Sequence, residues 1–592
     1  MIKLLKRLQA RDVIYILIVV TFVVVSVWLT LTIPDYMNRI TSLVNSQGDT
    51  SEVLKAGLIM LLCALGEAAC TIIVGYFTSQ VSASFSRQLR SDVYNAVVDF
   101  SMEEIGDFSS ASLVTRTGND VTQIQFLISM GLQAMLRAPI IAIWSVFKIL
   151  DKNTSFLVVT GVAIVLVVAL IASNIILLIP RFRILQKLTD NINRITGENL
   201  SGVRVVRAYN AEDYQRDKFE GANNELTRVN LFTGRIMSYL MPGMQFVMSM
   251  TTLSIYLVGA YVIQRSTVTE RLGIYSDLVV FMAYAMQILM AFMMLAMIFL
   301  ILPRAQVSAG RINEVLDRVP LIKDGTEGDA ATEKGTIEFR NVSFKYPDAE
   351  EKVLENISFS AGRGETVAFI GSTGCGKSTL INLIPRFYDV TEGEILVDGS
   401  DVRSYSLKAL REKIGYVSQK AILFKGTLRS NIDYGENAGN GKDEDMIHAL
   451  QVAQGGDILA KNADGLDTAV AQGGSNFSGG QKQRISIARA IYKKPEIFIF
   501  DDSFSALDYK TDKKLRAALH EEIKDATVLI VAQRIGTVKD ADQIIVLDEG
   551  RVTGAGKHEE LLESCQVYRQ IARSQLSEEE LAIKTDMEKE AD

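Results

Sequence analysis

Apolar and polar positions divide the sequence into two unlike halves. Up to Pro303, apolar residues form long runs, whereas after it charged and apolar residues alternate as they do in a soluble domain. A bilayer core of about 30 Å takes about 20 helical residues. The runs predict six membrane spans, near residues 13–33, 53–77, 131–150, 155–179, 239–263 and 278–302. The pattern therefore predicts an all-α, six-helix membrane domain over residues 1–320, followed by a soluble domain.

Basic residues indicate how these spans are oriented. They precede the first span and are frequent in the two longest connections, Thr78–Met130 and Pro180–Ser238. Cytoplasmic loops of membrane proteins carry an excess of Lys and Arg, so both connections are predicted to be cytoplasmic. An even number of spans puts both termini on one side. We expect a multi-pass protein of the plasma membrane, in a lipid bilayer, with both termini and the soluble domain in the cytoplasm.

The two long connections are themselves predicted to be helical. Gln80–Phe100 and Arg183–Arg207 keep helical apolar spacing with few breakers, which is typical of cytoplasmic extensions of the membrane helices. Each pair of extensions then needs a turning point, predicted near residues 105–112 and 208–214. The pattern leaves open whether these turning points are docking elements or plain surface turns.

Two features of the predicted spans raise the question of a substrate cavity. Glu67 lies in the middle of the second span, where an ionisable group is costly and indicates function. It either faces a cationic substrate or hydrogen-bonds a neighbouring helix. The last span carries a stripe of methionines, which favours either ordinary packing and lipid contact or an adaptable cavity for apolar compounds. The candidate cavity residues are Glu67, Met282, Met286, Met290 and Met293.

The soluble half begins after a polar linker predicted over residues 321–334 and forms a compact domain over residues 335–576. The acidic tail at 577–592 is expected to add only solubility or disorder. Predicted strands alternate with predicted helices, which favours an α/β domain with a mostly parallel sheet and its ligand at the carboxyl ends of the strands. The predicted strands are Thr336–Tyr346, Val353–Ala361, Thr366–Ile370, Ile414–Val417, Ile497–Phe500 and Thr527–Ala532.

One loop of this domain has the pattern of a phosphate-binding loop. The sequence GSTGCGKST fits G-x-x-x-x-G-K-[ST] and stands between a predicted strand and a predicted helix. Backbone N–H groups of such a loop cradle phosphate oxygens, the lysine adds a positive charge, and the serine offers a hydroxyl to Mg²⁺. We therefore predict a site for a nucleoside triphosphate. Its residues are Gly371, Ser372, Thr373, Gly374, Cys375, Gly376, Lys377, Ser378 and Thr379.

Further residues are placed to complete that site. Asp501 ends the predicted strand at 497–500, where a carboxylate can hold Mg²⁺ beside the phosphate loop. Tyr346 precedes the loop and is predicted either to stack on an adenine face or to be an ordinary surface residue. Gln419 follows another strand, and a glycine-rich segment at 477–481 begins a helix whose N-terminus is suited to an anion.

Composition excludes several other kinds of site. The net charge of −7 argues against a nucleic-acid partner, because no basic stripe outweighs it. The four cysteines, Cys63, Cys70, Cys375 and Cys565, form neither a disulfide framework nor a zinc pattern. Only three histidines occur, which limits the chain's general bases.

The ordered set of motifs resembles the nucleotide-binding domain of ATP-binding-cassette (ABC) transporters. With six spans before it, the chain resembles a half-transporter of the ABC exporter type, a family with a helical membrane domain and a P-loop ATPase domain that has an antiparallel β subdomain and an α-helical subdomain. The resemblance implies ATP and Mg²⁺ as cofactors and makes the two turning points coupling helices. The motifs are the phosphate loop, Gln419, FSGGQ at 477–481, IFIFDD at 497–502, SALD at 505–508 and VAQR at 531–534.

The resemblance also assigns roles to individual residues. Tyr346 is implied to stack on adenine, and Gln419, Ser378 and Asp501 are implied to serve Mg²⁺. The signature residues, which face the ATP of a partner's site, are Phe477, Ser478, Gly479, Gly480 and Gln481, with phenylalanine where leucine is usual. The D-loop residues are Ser505, Ala506, Leu507 and Asp508.

Two catalytic positions depart from the family's pattern. Asp502 stands where a glutamate usually polarises the attacking water, and Gln533 stands where a histidine is usual. A third, softer departure is Gln472, where the family usually has a glutamate before the signature. The aspartate is one methylene shorter than glutamate, and glutamine cannot supply the charge or the proton of an imidazole. These changes predict a site that binds ATP well and hydrolyses it slowly.

This asymmetry resembles one subunit of a bacterial heterodimeric multidrug exporter. The hypothesis is that a second half-transporter carries the glutamate and the histidine, while the signature of this chain completes the partner's hydrolytic site. Substrates are then expected to be drugs or other apolar compounds. Two alternatives remain: a homodimer that exports a lipid or peptide with slow turnover, and a nucleotide-gated regulator or channel.

Overall fold

The computed structural model describes residues 1–45, 49–150, 154–326, 334–435 and 441–576. It contains two compact units: Met1–Val98 with Ser110–Val319, and Asp99–Ser109 with Pro320–Asp592. Among the described residues the first unit is helical and the second combines sheets with helices. Much of the predicted linker and all of the predicted acidic tail lie outside the described residues.

The first part of the chain is built almost entirely from long helices. Its helices, in chain order, are α1 Ile2–Leu5, α2 Ala10–Asn45, α3 Thr50–Val98, α4 Met102–Phe108, α5 Ser110–Thr115, α6 Val121–Phe126, α7 Leu132–Leu150, α8 Thr154–Ser201, α9 Val203–Ala208, α10 Glu212–Arg265 and α11 Val268–Leu316. Within the described residues, six helical stretches are long and apolar enough to cross a bilayer, and each contains one predicted span.

Several of these helices are much longer than a bilayer requires. Helix α3 has 49 residues, and at 1.5 Å per residue it is roughly 70 Å long, more than twice the thickness of a hydrocarbon core. Helices α8, α10 and α11 are of similar length. The prediction of a six-span helical domain with long helical extensions is confirmed.

The stretch that holds the third span is helical but irregular. Between α5 and α7, π-helical turns occupy Arg116–Asp120 and Leu127–Gly131. Such turns insert an extra residue and often occur at functional positions. Asp120, buried at the end of the first π turn, accepts a hydrogen bond from Ser308 Oγ at 2.7 Å.

A regular apolar face holds the membrane unit together. Val19, Val23, Val27 and Leu31 recur every four residues along α2, so they lie on one face of the helix, and all four are buried. They share a core with residues of α3, α7, α8, α10 and α11. At the end of this face the hydroxyl of Tyr284 donates to Leu31 O at 2.9 Å, so the polar end of a buried ring is satisfied.

The first turning point is a short helix that belongs to the second unit. Helix α4 begins at Met102, three residues before the predicted segment, and Ser109 breaks the chain direction with a φ of 53°. Glu104 is fully buried, and its Oε1 accepts a hydrogen bond from the backbone N–H of Leu321 at 2.8 Å. Burial raises the pKa of Glu104, but hydrogen bonds from Ser101 and Leu321 outweigh it and leave the pKa below its ordinary value. The carboxylate therefore fastens α4 to the chain that leads into the nucleotide-binding domain.

The second turning point lies in the membrane unit. Helix α9 ends at Ala208 and α10 begins at Glu212, within the predicted segment. Its aromatic side chains are turned outward, since Tyr209 is 80 % exposed and Tyr214 is 68 % exposed.

The described residues of the second unit form three β-sheets. Its strands are β1 Ile337–Phe344, β2 Leu354–Ala361, β3 Thr366–Gly371, β4 Glu392–Val397, β5 Ser400–Asp401, β6 Ile414–Val417, β7 Gly426–Thr427, β8 Ala469–Val470, β9 Ile497–Asp501, β10 Thr527–Val531, β11 Gln543–Asp548 and β12 Arg551–Gly556. The largest sheet has the order β12-β11-β3-β10-β9-β6, in which only β12 is antiparallel. An antiparallel sheet of order β2-β1-β4-β5 stands beside it, and β7 pairs with β8. The predicted mostly parallel sheet is confirmed.

Helices complete the unit on the faces of the large sheet and in a separate helical region. They are α12 Lys377–Leu383, α13 Leu407–Glu412, α14 Leu428–Ile432, α15 Asp443–Val452, α16 Gly456–Lys461, α17 Gly479–Tyr492, α18 Tyr509–Glu522, α19 Ile535–Val538, α20 His558–Ser564 and α21 Gln566–Gln575. Strand β9 is buried along its whole length because both faces of the sheet are covered. The carboxyl ends of β3, β6, β9 and β10 thus meet at one sheet edge, where the predicted motifs lie.

Candidate nucleotide site

The phosphate loop connects β3 to α12 in the conformation that its glycines allow. Gly376 is the N-cap of α12 with a φ of 96°, and a Cβ there would lie 2.7 Å from Leu354 Cδ2. At Gly371 a Cβ would lie 2.0 Å from Leu547 O. Neither position has room for a side chain, so the tight path of the loop requires glycine.

Lys377 lies inside the loop that it is predicted to serve. Its Nζ donates to Gly371 O at 2.8 Å and to Ser372 O at 2.7 Å, and it lies 3.4 Å from Cys375 Sγ. The residue is only 8 % exposed. The loop therefore holds the ammonium group at its centre, where phosphate oxygens would meet it.

The two predicted oxygen ligands of Mg²⁺ are adjacent. Ser378 Oγ donates to Asp501 Oδ1 at 2.8 Å, although 123 residues separate the two. Burial, followed by repulsion from Asp502, raises the pKa of Asp501, and the hydrogen bond from Ser378 opposes this. A hard cation would relieve a buried carboxylate of this kind, and oxygen donors are those that Mg²⁺ prefers.

These residues fit Mg²⁺ only in company with a nucleotide. Within the described residues, no group of three or more His, Cys, Asp or Glu could hold a metal ion. One hydroxyl and one carboxylate leave most of an octahedral shell to waters and phosphate oxygens, which is the usual arrangement for Mg²⁺ in phosphoryl-transfer sites. A Mg²⁺ ion at this place would therefore need the oxygens of a triphosphate for the rest of its shell.

Tyr346 is oriented toward the same loop. Its hydroxyl lies 3.1 Å from Thr379 Oγ1. The edges of two other aromatic rings support it, with centroid distances of 4.8 Å to Phe344 and 5.3 Å to Tyr388. The ring is thus held beside the phosphate loop, and its role in stacking on adenine stays a prediction.

Asp502 is the point where three separate segments meet. Its Oδ2 accepts hydrogen bonds from Gln533 Nε2 at 3.0 Å and from Gln419 Nε2 at 3.3 Å. Its backbone has a φ of 43°, which is uncommon for a residue with a side chain, and its N–H donates to Val531 O at 2.9 Å. Burial raises the pKa of Asp502, and the hydrogen bonds from Gln419 and Ser505 counter part of this effect.

The carboxylate of Asp502 is hydrogen-bonded by the amides of Gln419 and Gln533, and an amide is not a general base. Gln533 donates its N–H to Asp502 and, being an amide, neither gains nor loses a proton at ordinary pH. The three histidines lie elsewhere: His448 contacts Glu522, His558 contacts Tyr568, and His520 is in α18. Slow hydrolysis at this site stays a prediction.

The signature segment forms a complete helix cap. Ser478 is the N-cap of α17: its Oγ accepts from the N–H of Gln481 at 3.3 Å, while Gln481 Oε1 accepts from the N–H of Ser478 at 2.9 Å. This capping box leaves the glycine N–H groups of the first turn directed outward. Phe477 is 9 % exposed and belongs to the apolar core, so its replacement of leucine is accommodated inside the domain.

The D-loop packs beside the signature helix. Asp508 is the N-cap of α18 and accepts from the N–H of Thr511 at 3.0 Å. Leu507 is buried, and a Cβ at Gly480 would lie 3.3 Å from Ala506 O, which shows how closely the two segments approach. Ser505 Oγ donates to Asp502 O at 2.8 Å and so joins the D-loop to the strand end.

The structure decides between the two interpretations of Glu67. Its Oε1 accepts from Arg137 NH2 at 2.6 Å, and about a quarter of each side chain is exposed. The carboxylate is therefore paired with a neighbouring helix. Among the methionines, Met286 and Met293 pack against a buried cluster, Met282 is partly buried, and Met290 is 42 % exposed.

Two functional contacts could not be found from sequence patterns. The sequence patterns gave no partner for Glu67, and Arg137 is 70 residues away from it. Gln575, at the end of α21, forms hydrogen bonds with the backbone on both sides of Arg534. Neither contact has a local signal, because both depend on how distant helices pack.

Comparison with known proteins covers both units. The model of the ABC transporter transmembrane region matches residues 16–313, and the ABC transporter model matches residues 354–505. An uncharacterised ABC transporter ATP-binding protein of Mycobacterium tuberculosis is 39 % identical over 536 residues, 90 % of each chain. The ATP-dependent lipid A-core flippase of Syntrophus aciditrophicus is 31 % identical over 538 residues, 90 % of this chain and 87 % of the flippase.

A solved structure shows the same fold. A bacterial Atm1-family ABC exporter with ATP bound superposes with a TM-score of 0.75 over 96 % of this chain and 99 % of that chain, at 23 % identity. The order of units, the six candidate spans and the phosphate-loop domain agree with these matches. The chain belongs to the ABC transporter family and is a half-transporter, in which a six-span membrane domain is fused to an ATP-binding domain.

Proposed function

We propose that this chain is the ATP-retaining subunit of a heterodimeric exporter for drugs or other apolar compounds. The observation that carries the proposal is the strand end at Asp502, whose carboxylate is held by the amides of Gln419 and Gln533. Its Walker A and Walker B segments bind Mg²⁺ and ATP and hydrolyse the nucleotide slowly. Its signature completes a faster site on the partner.

Geometry supports slow hydrolysis at this chain's own site. An aspartate carboxylate is set back by about 1 Å relative to glutamate, and a misplacement of that size can cost on the order of 10²-fold in rate. Gln533 adds no general base that would compensate. Lys377, Ser378 and Asp501 meanwhile match the family's pattern, and Ser378 and Asp501 lie within hydrogen-bond distance of each other.

The intact signature supports a partner that performs the hydrolysis. Ser478 and Gly479 present an anion-binding helix N-terminus, which is of use only to a nucleotide on another chain. We expect that chain to be a second half-transporter with glutamate and histidine at the positions of Asp502 and Gln533. ATP binding then joins the two nucleotide-binding domains, and the turning points at α4 and at 208–214 transmit the movement to the spans.

The direct test compares the chain alone with the assembled pair. Each is purified in lipid nanodiscs, and its rate of ATP hydrolysis is measured with Mg²⁺. We expect the lone chain to bind ATP with little turnover and the pair to turn over quickly. The double variant Asp502→Glu/Gln533→His should raise the rate at this chain's site by on the order of 10²-fold. Brisk hydrolysis by the unaltered lone chain would contradict the proposal.

A second candidate is a homodimer that exports a lipid. It is favoured by the 31 % identity to lipid A-core flippases. Inside-out vesicles that contain the chain alone or the pair separate the candidates: ATP-driven uptake of an apolar dye only by the pair supports the heterodimer, and movement of a labelled lipid by the lone chain supports the alternative. ATP binding that opens a passive leak without accumulation would instead indicate a nucleotide-gated channel.

A further inference from the structure

We propose that Gln575 is a positioning residue for the ATP site and that it acts through Gln533. The proposal rests on the proposed function for one point only, that Asp502 and Gln533 lie beside the terminal phosphate of ATP. What it adds is a physical connection from the last described helix of the chain to that carboxylate.

Gln575 is held in place by the helix that it ends. Helix α21 packs through Tyr568 and Ala572, both fully buried, in the core that also contains β10 and α19 residues. The side-chain hydroxyl of Tyr568 is bonded to His558 at 2.6 Å, which fixes the start of the helix against α20. The backbone of Gln575 therefore has a defined position relative to the large sheet.

The side-chain amide of Gln575 brackets the segment after β10. Its Nε2 donates to Gln533 O at 2.8 Å, and its Oε1 accepts from the N–H of Ile535 at 2.9 Å. A glutamine amide carries a donor and an acceptor side by side, which matches a carbonyl and an N–H two residues apart. Neither a glutamate nor a lysine provides both.

The bracketed residue is the one that contacts Asp502. With its own backbone carbonyl held by Gln575, Gln533 extends its side chain to Asp502 Oδ2 at 3.0 Å. The hydrogen bonds thus run without a gap from α21 to the strand end of β9. Without the Gln575 amide, the backbone from Gln533 to Ile535 would lose two hydrogen bonds and could shift. The hydrogen bond between Gln533 and Asp502 would then be formed for a smaller fraction of the time.

The experiment is a double-mutant cycle on the assembled transporter. The variants are Gln575→Ala, Gln533→Ala and their combination, with Gln570→Ala as the control because Gln570 is an exposed glutamine on the same helix. For each, bound Mg²⁺-ATP is chased with unlabelled ATP and its residence time is measured, along with the Tm. We expect Gln575→Ala to shorten the residence time about fivefold, the loss typical of a neutral hydrogen bond, and Gln570→Ala to leave it unchanged.

The cycle separates positioning from a general structural role. If Gln575 acts through Gln533, the Gln575→Ala change should have almost no further effect in the Gln533→Ala background, because the group it positions is gone. Gln575→Glu, which keeps the acceptor and loses the donor, should not restore the residence time. Equal effects in both backgrounds, or no effect in either, would overturn the proposal.

The same variants remain informative if the proposed function fails. Should the unaltered lone chain hydrolyse ATP quickly, the heterodimer proposal is contradicted, and the cycle is then measured on kcat and KM. Positioning of Gln533 predicts a lower kcat at unchanged KM for Gln575→Ala and, again, no further effect without the Gln533 side chain. Independent effects of the two changes on kcat would reject the role of Gln575 in that case as well.

Discussion

Two segments of the nucleotide-binding domain, the start of α17 and the end of β9, differ in how their polar side chains are engaged. At the start of α17, Ser478 and Gln481 form a reciprocal capping box, and the helix N-terminus is complete. At the end of β9, Asp502 is instead engaged by two glutamine amides and has a strained backbone conformation. Both segments follow their motifs in chain order, but only the strand end departs from the family's pattern at catalytic positions, Asp502 and Gln533.

Under the proposed function, this difference separates binding of a nucleotide from its cleavage within one domain. Binding relies on Lys377, Ser378 and Asp501, which lie at hydrogen-bond distances from their partners. Cleavage relies on the reach of one carboxylate and the chemistry of the group beside it. The following predictions test this separation, from the largest expected effect to the smallest.

Lys377→Ala should strongly weaken the binding of ATP to this chain. The ammonium group supplies charge-assisted hydrogen bonds, each of which is worth about 1.5–3 kcal/mol, so the Kd for ATP should rise by about 50-fold. Binding of a fluorescent ATP analogue to the lone chain measures this. Lys510→Ala, at an exposed lysine of α18, is the control and should bind normally. An unchanged affinity for ATP in Lys377→Ala would contradict the assignment of Lys377 to nucleotide binding.

Ser478→Ala should impair the signature, which acts on the partner's site, and should leave ATP binding by this chain unchanged. The hydroxyl caps α17 and faces outward, so we expect the ATPase rate of the assembled pair to fall about tenfold, while the lone chain binds ATP as before. Ser475→Ala, three residues earlier and exposed, is the matched control. A loss of ATP affinity in the lone Ser478→Ala chain would show that the two segments do not act separately.

Glu67→Gln should lower the stability of the membrane domain without changing ATP binding in the nucleotide-binding domain. The change leaves Arg137 unpaired within a span, which should lower the free energy of unfolding by about 1–3 kcal/mol, with ATP affinity unchanged. Glu52→Gln, which disrupts a more exposed pair with Arg39 at 3.9 Å, should change stability little. Thermal unfolding in nanodiscs measures both. The double variant Glu67→Gln/Arg137→Gln should recover stability, and a further loss would contradict the role of the pair.

Asp501→Asn should stabilise the nucleotide-free chain while it weakens Mg²⁺ binding. Burial raises the pKa of Asp501, so its charged form costs stability above that pKa. We expect a Tm about 2 °C higher than wild type at neutral pH. The gain should shrink as the pH falls through the raised pKa and vanish near the ordinary value of about 4, because the wild-type carboxyl is then neutral too.

Asp525→Asn is the control for that titration, since Asp525 is exposed and the change should alter the Tm little at any pH. A constant gain across the range from pH 4 to pH 8 would show that the effect of Asp501→Asn does not come from charge. A loss of stability at neutral pH would contradict the expected sign.

Local patterns were enough to predict the strands that lead into the site motifs, whereas six shorter or peripheral strands, β4, β5, β7, β8, β11 and β12, were not predicted. Buried β-strands such as Ile414–Val417 are short apolar runs between breakers, so the predicted bounds of β3, β6, β9 and β10 agree with the structure to within one residue. The phosphate loop and the signature are also local, because each is a turn whose glycines lie next to the helix that they begin. The same holds for six spans, since a bilayer imposes a minimum length that a sequence reveals directly.

Contacts between distant elements could not be predicted in the same way. Nothing near Glu67 indicates that its partner is Arg137, because the pairing depends on how α3 and α7 are turned toward each other. The π turns before α7 have no agreed sequence pattern either. The burial of Glu104 in the first turning point has no local signal either, because it depends on the contact with Leu321.

Helix α4 has a consequence for how the molecule can be divided. The chain enters the nucleotide-binding unit at Asp99, leaves it at Ser109, and returns for good at Pro320. A fragment that starts at the linker would therefore lack a native part of its own surface, and the backbone N–H of Leu321 would lose the carboxylate of Glu104. A protease cut between the two units at the linker would still leave them joined through this excursion. Three cuts in the chain are needed to separate the two units, because the polypeptide passes between them at Asp99, at Ser109 and at Pro320.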